Sequence, residues 1–320
     1  MKFALLFAVS LPLLAVDGTV LNSSIGRPQS GVEITLVQPG QNGMTELGRT
    51  TSDAQGHFNI DKQIPPGPGL LQAVYQGVTY NQIITPGMPV SGVEIKVYEA
   101  TSKKGTAKSA EHLILLEPST SEITITETFV FSNDSNTTFN DPKAGSAQFF
   151  LPPGAEEKSQ VVVSAPGGMP IARPALKTSQ AGIYKVDYPL KPGDTRFDVH
   201  YTVPASKTFA GKVVAGEGAT HLVTPSAVTL TGDGIESAGQ EPQTQAHIYN
   251  LTGLDYKVLV DGTGSLRAAD SNQNGGEDDS GSPKIEIAQA RIYGRLYWVL
   301  GLTLGVLALG GLLLYRRGTA

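Results

Sequence analysis

The stretch EITITETFVF, residues 122–131, decides the fold class because it alternates apolar and polar side chains almost without a break. On an extended strand, every second side chain points to the same face of a sheet. Four apolar residues fall on one such face: Ile123, Ile125, Phe129 and Phe131. Glu127 shares that face and interrupts the apolar stripe. The stretch therefore predicts a β-strand with one face in a hydrophobic core.

Short alternating runs of the same kind occur on both sides of this stretch, separated by clusters of Gly and Pro. This pattern is typical of antiparallel strands in β-sandwiches. We predict an all-β fold of tandem antiparallel β-sandwiches, one over 16–100 and one over 111–205, with a polar linker at 101–110. The strand-rich region 206–262 either completes the second sandwich or forms a small third domain.

Three segments of the first predicted sandwich follow a family pattern: Gly18-Thr19-Val20, Gly31–Leu36 and Thr51–Phe58. They resemble the bacterial carboxypeptidase regulatory-like domain, a small transthyretin-like β-sandwich. The resemblance implies a structural or binding domain without a catalytic centre. Within its T-x-D-x-x-G-x-F element, Asp53 and Gly56 are turn residues that deliver Phe58 into the core.

The second predicted sandwich is similar to immunoglobulin-like and fibronectin-like sandwiches in its strand pattern alone. It lacks the Cys and Trp residues that mark true immunoglobulin domains. The similarity therefore implies an architecture, and it assigns no ligand.

The composition narrows the classes of function. The chain has 320 residues, of which 40% are hydrophobic, so it is long enough to bury real cores. A net charge of −5, with no long Lys/Arg run, provides no surface for nucleic acid. The absence of Cys excludes disulfides, thiolate metal sites and a Cys nucleophile. It also favours a bacterial envelope protein over a secreted eukaryotic one.

The N-terminus has the pattern of an export signal. Lys2 is followed by an apolar run from Phe3 to Val16, which is shorter than a bilayer-spanning helix. We predict a signal peptide over 1–15 that is cleaved after Ala15. Because Leu13 is larger than the residue preferred near a cleavage site, an uncleaved anchor is the alternative.

The C-terminal part predicts a membrane anchor. Residues 296–315 carry no charge over the length that a bilayer core requires, so they form a single transmembrane helix. The polar, acidic segment 263–284 is a flexible stalk before it. The export signal orients the helix, which leaves 316–320 as a cytoplasmic tail and the body periplasmic or extracellular.

Gly301 and Gly305 form a G-x-x-x-G spacing inside this predicted helix. Such spacing lets a second helix approach closely, so a homodimer through the membrane segment is one interpretation. The alternative is that Gly is simply frequent in membrane helices.

Motifs that carry catalysis, a cofactor or a metal are absent from the sequence. It contains no nucleophile elbow, zinc-protease motif or phosphate-binding loop, and its five His residues are scattered. Asp270, Asn272, Asn274 and Asp278 match part of a calcium loop. The twelfth position is Gly281 where the loop needs a bidentate Glu, so this segment is interpreted as a solvated linker. We therefore predict no enzyme, no cofactor and no metal site.

Three hypotheses for function remain. The first is a non-enzymatic, membrane-anchored extracytoplasmic protein of binding or adhesion type, whose β-sandwich modules recognise a protein or a glycan. The edge of such a sheet, for example at Val93–Tyr98, is one surface for a partner strand. The second is a structural subunit of an envelope complex that assembles through the Gly-rich helix. The third is an enzyme of unrecognised type, which requires a pocket with clustered titratable groups.

Protease protection on the full-length protein, tagged after the signal region and at Ala320, tests the predicted topology. We expect external protease to digest the body while the tag at Ala320 stays protected and membrane-bound. A protected body, or a body recovered in the soluble fraction, would contradict the predicted export and anchoring.

Overall fold

The computed structural model describes residues 15–40, 43–103, 105–214 and 218–266. These residues form several largely antiparallel β-sheets, which confirms the all-β prediction. The helix found among them is a single 3₁₀ turn at Glu156–Lys158. All of them belong to one compact unit that contains two hydrophobic cores. We call the regions around these cores the first body and the second body.

The first body has its core between Val16 and Ala100. Its strands are β1 (Val16–Asn22), β2 (Arg27–Pro28), β3 (Glu33–Gly40), β4 (Gly43–Thr51), β5 (His57–Ile60), β6 (Gly69–Tyr75), β7 (Val78–Ile84), β8 (Val93–Val97) and β9 (Ala100–Thr101). One sheet is antiparallel in the order β4-β3-β6-β7. In the other sheet, β1 pairs with β2 and β5 on one side and, in parallel, with β8 on the other. Both sheets contribute buried residues to the one core, as expected for a sandwich.

The second body has its core between Ala107 and Val260. Its strands are β10 (Lys108–Pro118), β11 (Glu122–Asn133), β12 (Thr138–Phe139), β13 (Ala147–Phe150), β14 (Gln160–Ser164), β15 (Ile171–Arg173), β16 (Leu176–Lys177), β17 (Ile183–Val186), β18 (Gly193–Pro204), β19 (Thr208–Lys212), β20 (Thr220–Thr224), β21 (Thr229–Asp233), β22 (Ile235–Gln240), β23 (His247–Leu251) and β24 (Asp255–Asp261). The stretch that opened the sequence analysis lies within β11. Its burial alternates as predicted, with Ile123 and Ile125 buried.

An eight-stranded sheet in the order β15-β14-β18-β11-β10-β20-β23-β22 dominates the second body. Strands β11 and β18 pair along their full length, from Glu122 opposite Pro204 to Asn133 opposite Gly193. Strand β10 pairs with β11 on one side and runs parallel to β20 on the other. Two three-stranded sheets, β13-β17-β16 and β19-β24-β21, supply further buried residues to the same core.

Two features of this organisation bear on the sequence-based boundaries, which left open whether 206–262 completes the second sandwich or forms a third domain. Strands from 206–262 enter the eight-stranded sheet, and their buried residues belong to the same core as those of 111–205. The predicted linker 101–110 is shortened at both ends. Thr101 belongs to β9 and pairs with Phe139 of β12, and Lys108 already begins β10. The entry of 206–262 into the main sheet depends on the pairing of β20 with the distant strand β10, which local alternation does not encode. The early start of β10 reflects its pairing with the next strand, β11, where Lys108 lies opposite Ser132.

The described residues contain no helix long and apolar enough to span a bilayer. The predicted signal peptide 1–15 lies outside them except for residue 15. The predicted transmembrane helix 296–315 and tail 316–320 also lie outside them, as does all of the predicted stalk 263–284 except 263–266.

The turn of the T-x-D-x-x-G-x-F element is closed by Asp53. Its Oδ1 accepts hydrogen bonds from the backbone N–H groups of Gln55 and His57 at 2.9 and 2.8 Å. Gly56 follows with a φ of 77°, in the left-handed region that favours glycine. Phe58, two residues later, is 4% exposed and belongs to the first core.

Gly56 also lies against neighbouring backbone, which gives a test of this turn. A Cβ added there would lie 2.8 Å from the carbonyl oxygen of Val20, whereas one added at Gly31, with a similar φ of 73°, would meet nothing within 4 Å. We expect Gly31→Ala to lower the free energy of unfolding by about 1–2 kcal/mol through backbone strain alone. Gly56→Ala should lower the free energy of unfolding by about 1–3 kcal/mol more than Gly31→Ala, because of the clash. Equal losses in urea unfolding would contradict this account.

Candidate functional site

Glu127 lies on the core-facing side of β11, where sequence alternation calls for an apolar residue. Its Oε1 is 2.7 Å from Nε2 of His112 on β10, and the two side chains are only 5% and 7% exposed. Because an ionised carboxylate only accepts hydrogen bonds, Nε2 is the donor. A carboxylate inside a core is tolerated when it is paired in this way.

The other imidazole nitrogen extends the contact to a third strand. Nδ1 of His112 is 2.9 Å from Oγ1 of Thr220, the residue opposite His112 in the parallel β10–β20 pair. Glu127, His112 and Thr220 thus form a row of hydrogen bonds across β11, β10 and β20, which we call the polar ladder. The imidazole also stacks on Phe129, with ring centroids 4.2 Å apart and planes 17° apart. Every nitrogen of the imidazole therefore has a partner, and its ring is held by packing.

Two buried tyrosines lie on the core side of the ladder. Burial raises the pKa of Tyr201 well above its ordinary value, and the nearby charge of Glu127 raises it further. The same two causes raise the pKa of Tyr256. Both phenols therefore stay neutral at physiological pH, and the ladder sits in an environment with little competing charge.

The ladder borders a cavity of about 350 Å³, which we call the His112 cavity. Its volume is at the small end of the range for small-molecule sites. Its wall is formed by three phenylalanines, Phe129, Phe131 and Phe139, together with several small residues and Leu190. Its polar lining consists of Ser109, His112, Asp141, Ser146, Gln148 and Thr220. Among the described residues that line the cavity there is no Lys or Arg.

The loop that carries Asp141 is fixed by its own hydrogen bonds. Oδ1 of Asp141 accepts from the backbone N–H groups of Lys143 and Ala144 at 3.0 and 3.1 Å. The ammonium of Lys185 donates to the carbonyl oxygen of Pro142 at 2.8 Å. Gly145 has a φ of 77° and lies close to the backbone of the neighbouring strand. This rim is therefore preorganised rather than dependent on a ligand.

A larger depression of about 490 Å³ lies near Phe150, Gly211 and Tyr256, and it is a weaker candidate. It opens widely to solvent and does not border the polar ladder. The presence of glycine at position 211 is explained by local packing, because a Cβ there would clash with the hydroxyl of Tyr256.

Of the residues singled out in the sequence, Asp53, Gly56 and Phe58 come together in the first body as the turn described above, away from the cavity. Gly301 and Gly305, and the partial calcium loop from Asp270, lie outside the described residues. The described residues contain no cluster of three or more His, Asp or Glu that would hold a metal ion.

The cavity residues were not predicted as a site, although the sequence contains one signal. Glu127 breaks the apolar stripe of its strand, and a charged residue at a core position demands a partner. The partner is His112, fifteen positions away on the neighbouring strand. The remaining lining residues come from widely separated segments, so no local motif marks them.

Comparisons with known proteins leave the family open. No protein-family model and no curated protein matches the chain. Among solved structures, an M1 zinc metallopeptidase mutant from Deinococcus radiodurans aligns at 10% identity with a TM-score of 0.27, over 50% of this chain and 43% of the enzyme. A related M1 zinc metallopeptidase mutant, bound to L-tryptophan, gives 11% identity and a TM-score of 0.26, over 50% of this chain and 44% of that chain. The chain thus spans less than half the length of these enzymes, and so weak a likeness carries no argument about function.

Double-mutant analysis tests whether the ladder neutralises a buried charge. We expect His112→Leu to lower the free energy of unfolding by about 3–5 kcal/mol, because Glu127 is left buried without its imidazole partner. Adding Glu127→Leu should recover most of that loss, since no buried charge remains. Urea unfolding of the wild type, both single variants and the double variant measures the coupling. Simply additive losses would contradict the pairing.

Proposed function

We propose that this chain is a non-enzymatic, membrane-anchored extracytoplasmic binding protein whose second body binds a neutral carbohydrate in the His112 cavity. The observation that carries the proposal is the lining of that cavity, in which the described residues combine three phenylalanine rings with hydroxyl and amide side chains and include no Lys or Arg. The C-terminal transmembrane helix and the export signal remain parts of the proposal that rest on the sequence.

The lining chemistry favours a sugar ring over other small ligands. The C–H bonds on the face of a sugar are weakly positive and pack on the negative face of an aromatic ring. Its hydroxyl groups need donors and acceptors around the edge, which Ser109, Gln148 and Asp141 are suited to provide. A phosphate or carboxylate ligand would instead face Asp141 without a compensating lysine or arginine among the described lining residues.

The edge strand considered in the sequence analysis supports a binding role less well. Strand β8 pairs with β1 and has no strand on its other side among the described residues. Its outward residues are Glu94 and Lys96, whose charged groups lie 3.6 Å apart. Charged side chains on an edge discourage pairing with another strand. The cavity is therefore the better candidate for recognition.

The first body is proposed as a transthyretin-like, carboxypeptidase regulatory-like module with a supporting role. Its two sheets around one core and the turn at Asp53 are compatible with that assignment. The second body is proposed as a sandwich of immunoglobulin or fibronectin type, enlarged by the strands of 206–262 that extend its main sheet.

A screen of the full-length protein against neutral and anionic oligosaccharides, followed by calorimetric titration, tests the proposal. We expect binding to a neutral sugar, and Phe131→Leu should weaken it about tenfold, because Leu preserves apolar volume but removes the ring face. The matched control is Phe150→Leu, which changes another half-buried phenylalanine outside the cavity.

The outcomes separate the competing functions. Failure of every neutral sugar to bind, or equal weakening by both Leu substitutions, would contradict the proposed site. The bound sugar should be recovered chemically unchanged. Loss of the acyl group from an O-acylated sugar, in a reaction that requires the Thr220 hydroxyl, would identify an enzyme, since hydroxyl, imidazole and carboxylate also occur in this order in acyl-transfer relays.

A further inference from the structure

The two bodies are joined by backbone pairing at one end of the cavity wall. Strand β9, at the end of the first body, runs parallel to β12 of the second. The N–H of Thr138 donates to the carbonyl oxygen of Glu99, and the N–H of Asn140 donates to that of Thr101, both at 2.8 Å. This pairing fixes the segment 138–140 against the first body.

Tyr80 reinforces the same place with its side chain. Its hydroxyl donates to the carbonyl oxygen of Tyr98 at 2.9 Å and lies 2.9 Å from Oγ1 of Thr138. Because the phenol has one proton, the Thr138 hydroxyl is the donor in the second contact. Tyr80 is 4% exposed and Thr138 is fully buried, so water does not compete for this bond.

Lys191 makes a second connection between the bodies. Its ammonium donates to the carbonyl oxygen of Thr79 at 2.6 Å and lies 5.0 Å from the ring centroid of Tyr80. A cation over an aromatic face is attracted by the ring. Burial lowers the pKa of Lys191 to about 8, so most of the population is still charged at neutral pH.

Further polar contacts lie beside this junction, most of them within the first body. Glu99 accepts hydrogen bonds from Asn22 and Tyr75, both at 2.7 Å, and from Gln76 at 2.6 Å. These bonds hold the pKa of Glu99 below its usual value, so the carboxylate stays ionised. Asn136 of the second body donates to the carbonyl oxygen of Ser24 at 3.0 Å. The junction is therefore a satisfied hydrogen-bond network rather than a loose tether.

The junction is directly continuous with the wall of the cavity. Phe139 and Leu190, which both line the cavity, exchange two backbone hydrogen bonds of 3.0 and 2.9 Å. Phe139 follows Thr138 in the chain, and Leu190 precedes Lys191. Each wall residue is thus one peptide unit from a residue that the first body contacts.

We infer that Tyr80 and Lys191 are positioning residues of the binding site: through Thr138 and Thr79, the first body holds the Phe139–Leu190 wall in its ligand-ready position. The ligand part of this inference rests on the proposed function. Ligand binding and docking of the bodies then stabilise each other, since a coupling between two sites is reciprocal. The first body acts on the cavity without touching the ligand.

The absence of Cys from the sequence allows a test that needs no ligand. Ser109→Cys places one thiol in the cavity lining, and its rate of modification by a small thiol reagent in the full-length protein reports how often the wall opens. Tyr80→Phe and Thr138→Val each remove one hydroxyl of the same bond and preserve shape. We expect each to accelerate labelling about three- to tenfold, the effect of losing one buried hydrogen bond.

Matched controls separate positioning from general destabilisation. Tyr98→Phe removes a hydroxyl beside Tyr80 that makes no hydrogen bond within the described residues, so labelling should keep the wild-type rate. Ser237→Cys, on exposed strand β22, should label equally fast in all backgrounds. Lys191→Met provides a second variant that removes the other connection between the bodies, the contact with Thr79, and it should also accelerate labelling at Ser109→Cys.

The result that overturns the inference is an unchanged labelling rate at Ser109→Cys when Tyr80→Phe or Lys191→Met lowers the thermal unfolding temperature. Faster labelling at both reporter positions would also overturn it, because that indicates global loosening. If the wild type binds no sugar but labelling responds as expected, the proposed function fails, while the positioning of the Phe139–Leu190 wall by the first body is supported. If the wild type binds a sugar and Tyr80→Phe leaves both labelling and affinity unchanged, only this positioning is contradicted.

Discussion

The constraint on which the second body depends is the presence of a carboxylate inside its core. Glu127 occupies a core-facing position of the longest strand pair, where an unpaired charge would cost several kcal/mol. His112 and Thr220 satisfy it across two further strands. This row of two hydrogen bonds ties the antiparallel β10–β11 pair to the parallel β10–β20 pair, and the bond from His112 to Thr220 links residues that are 108 positions apart.

A cavity beside the ladder follows from the same arrangement. The imidazole and its stacked Phe129 line the cavity together with Asp141 of the rim loop. Phe139 and Leu190, which also line the cavity, adjoin the junction to the first body. The cavity is thus bounded by the polar ladder, which satisfies the buried charge of Glu127, and by the Phe139–Leu190 wall, which adjoins the junction of the two bodies. Neither boundary requires a ligand to form.

The sequence predicted what depends on local periodicity and turn chemistry. The alternation of apolar and polar residues predicted strand β11 and the burial of Ile123. The turn predicted at Asp53 and Gly56 agrees with the contacts observed there. Strand order was beyond that reasoning, because the β10–β20 pair joins segments about a hundred residues apart, as His112 opposite Thr220 illustrates. The cavity was missed for the same reason, although Glu127, which interrupts the apolar face of its strand, is a signal for a polar contact next to it.

Site-specific crosslinking in cells tests the central claim, that the His112 cavity is where this protein meets its ligand, most directly. A photoreactive benzophenone amino acid replaces Gln148 at the exposed rim of the cavity, and in a matched strain it replaces Gln243, exposed elsewhere on the second body. The account predicts an adduct that contains carbohydrate at position 148 and none at position 243. Carbohydrate adducts at both positions, or a crosslink at 148 to protein alone, would contradict it.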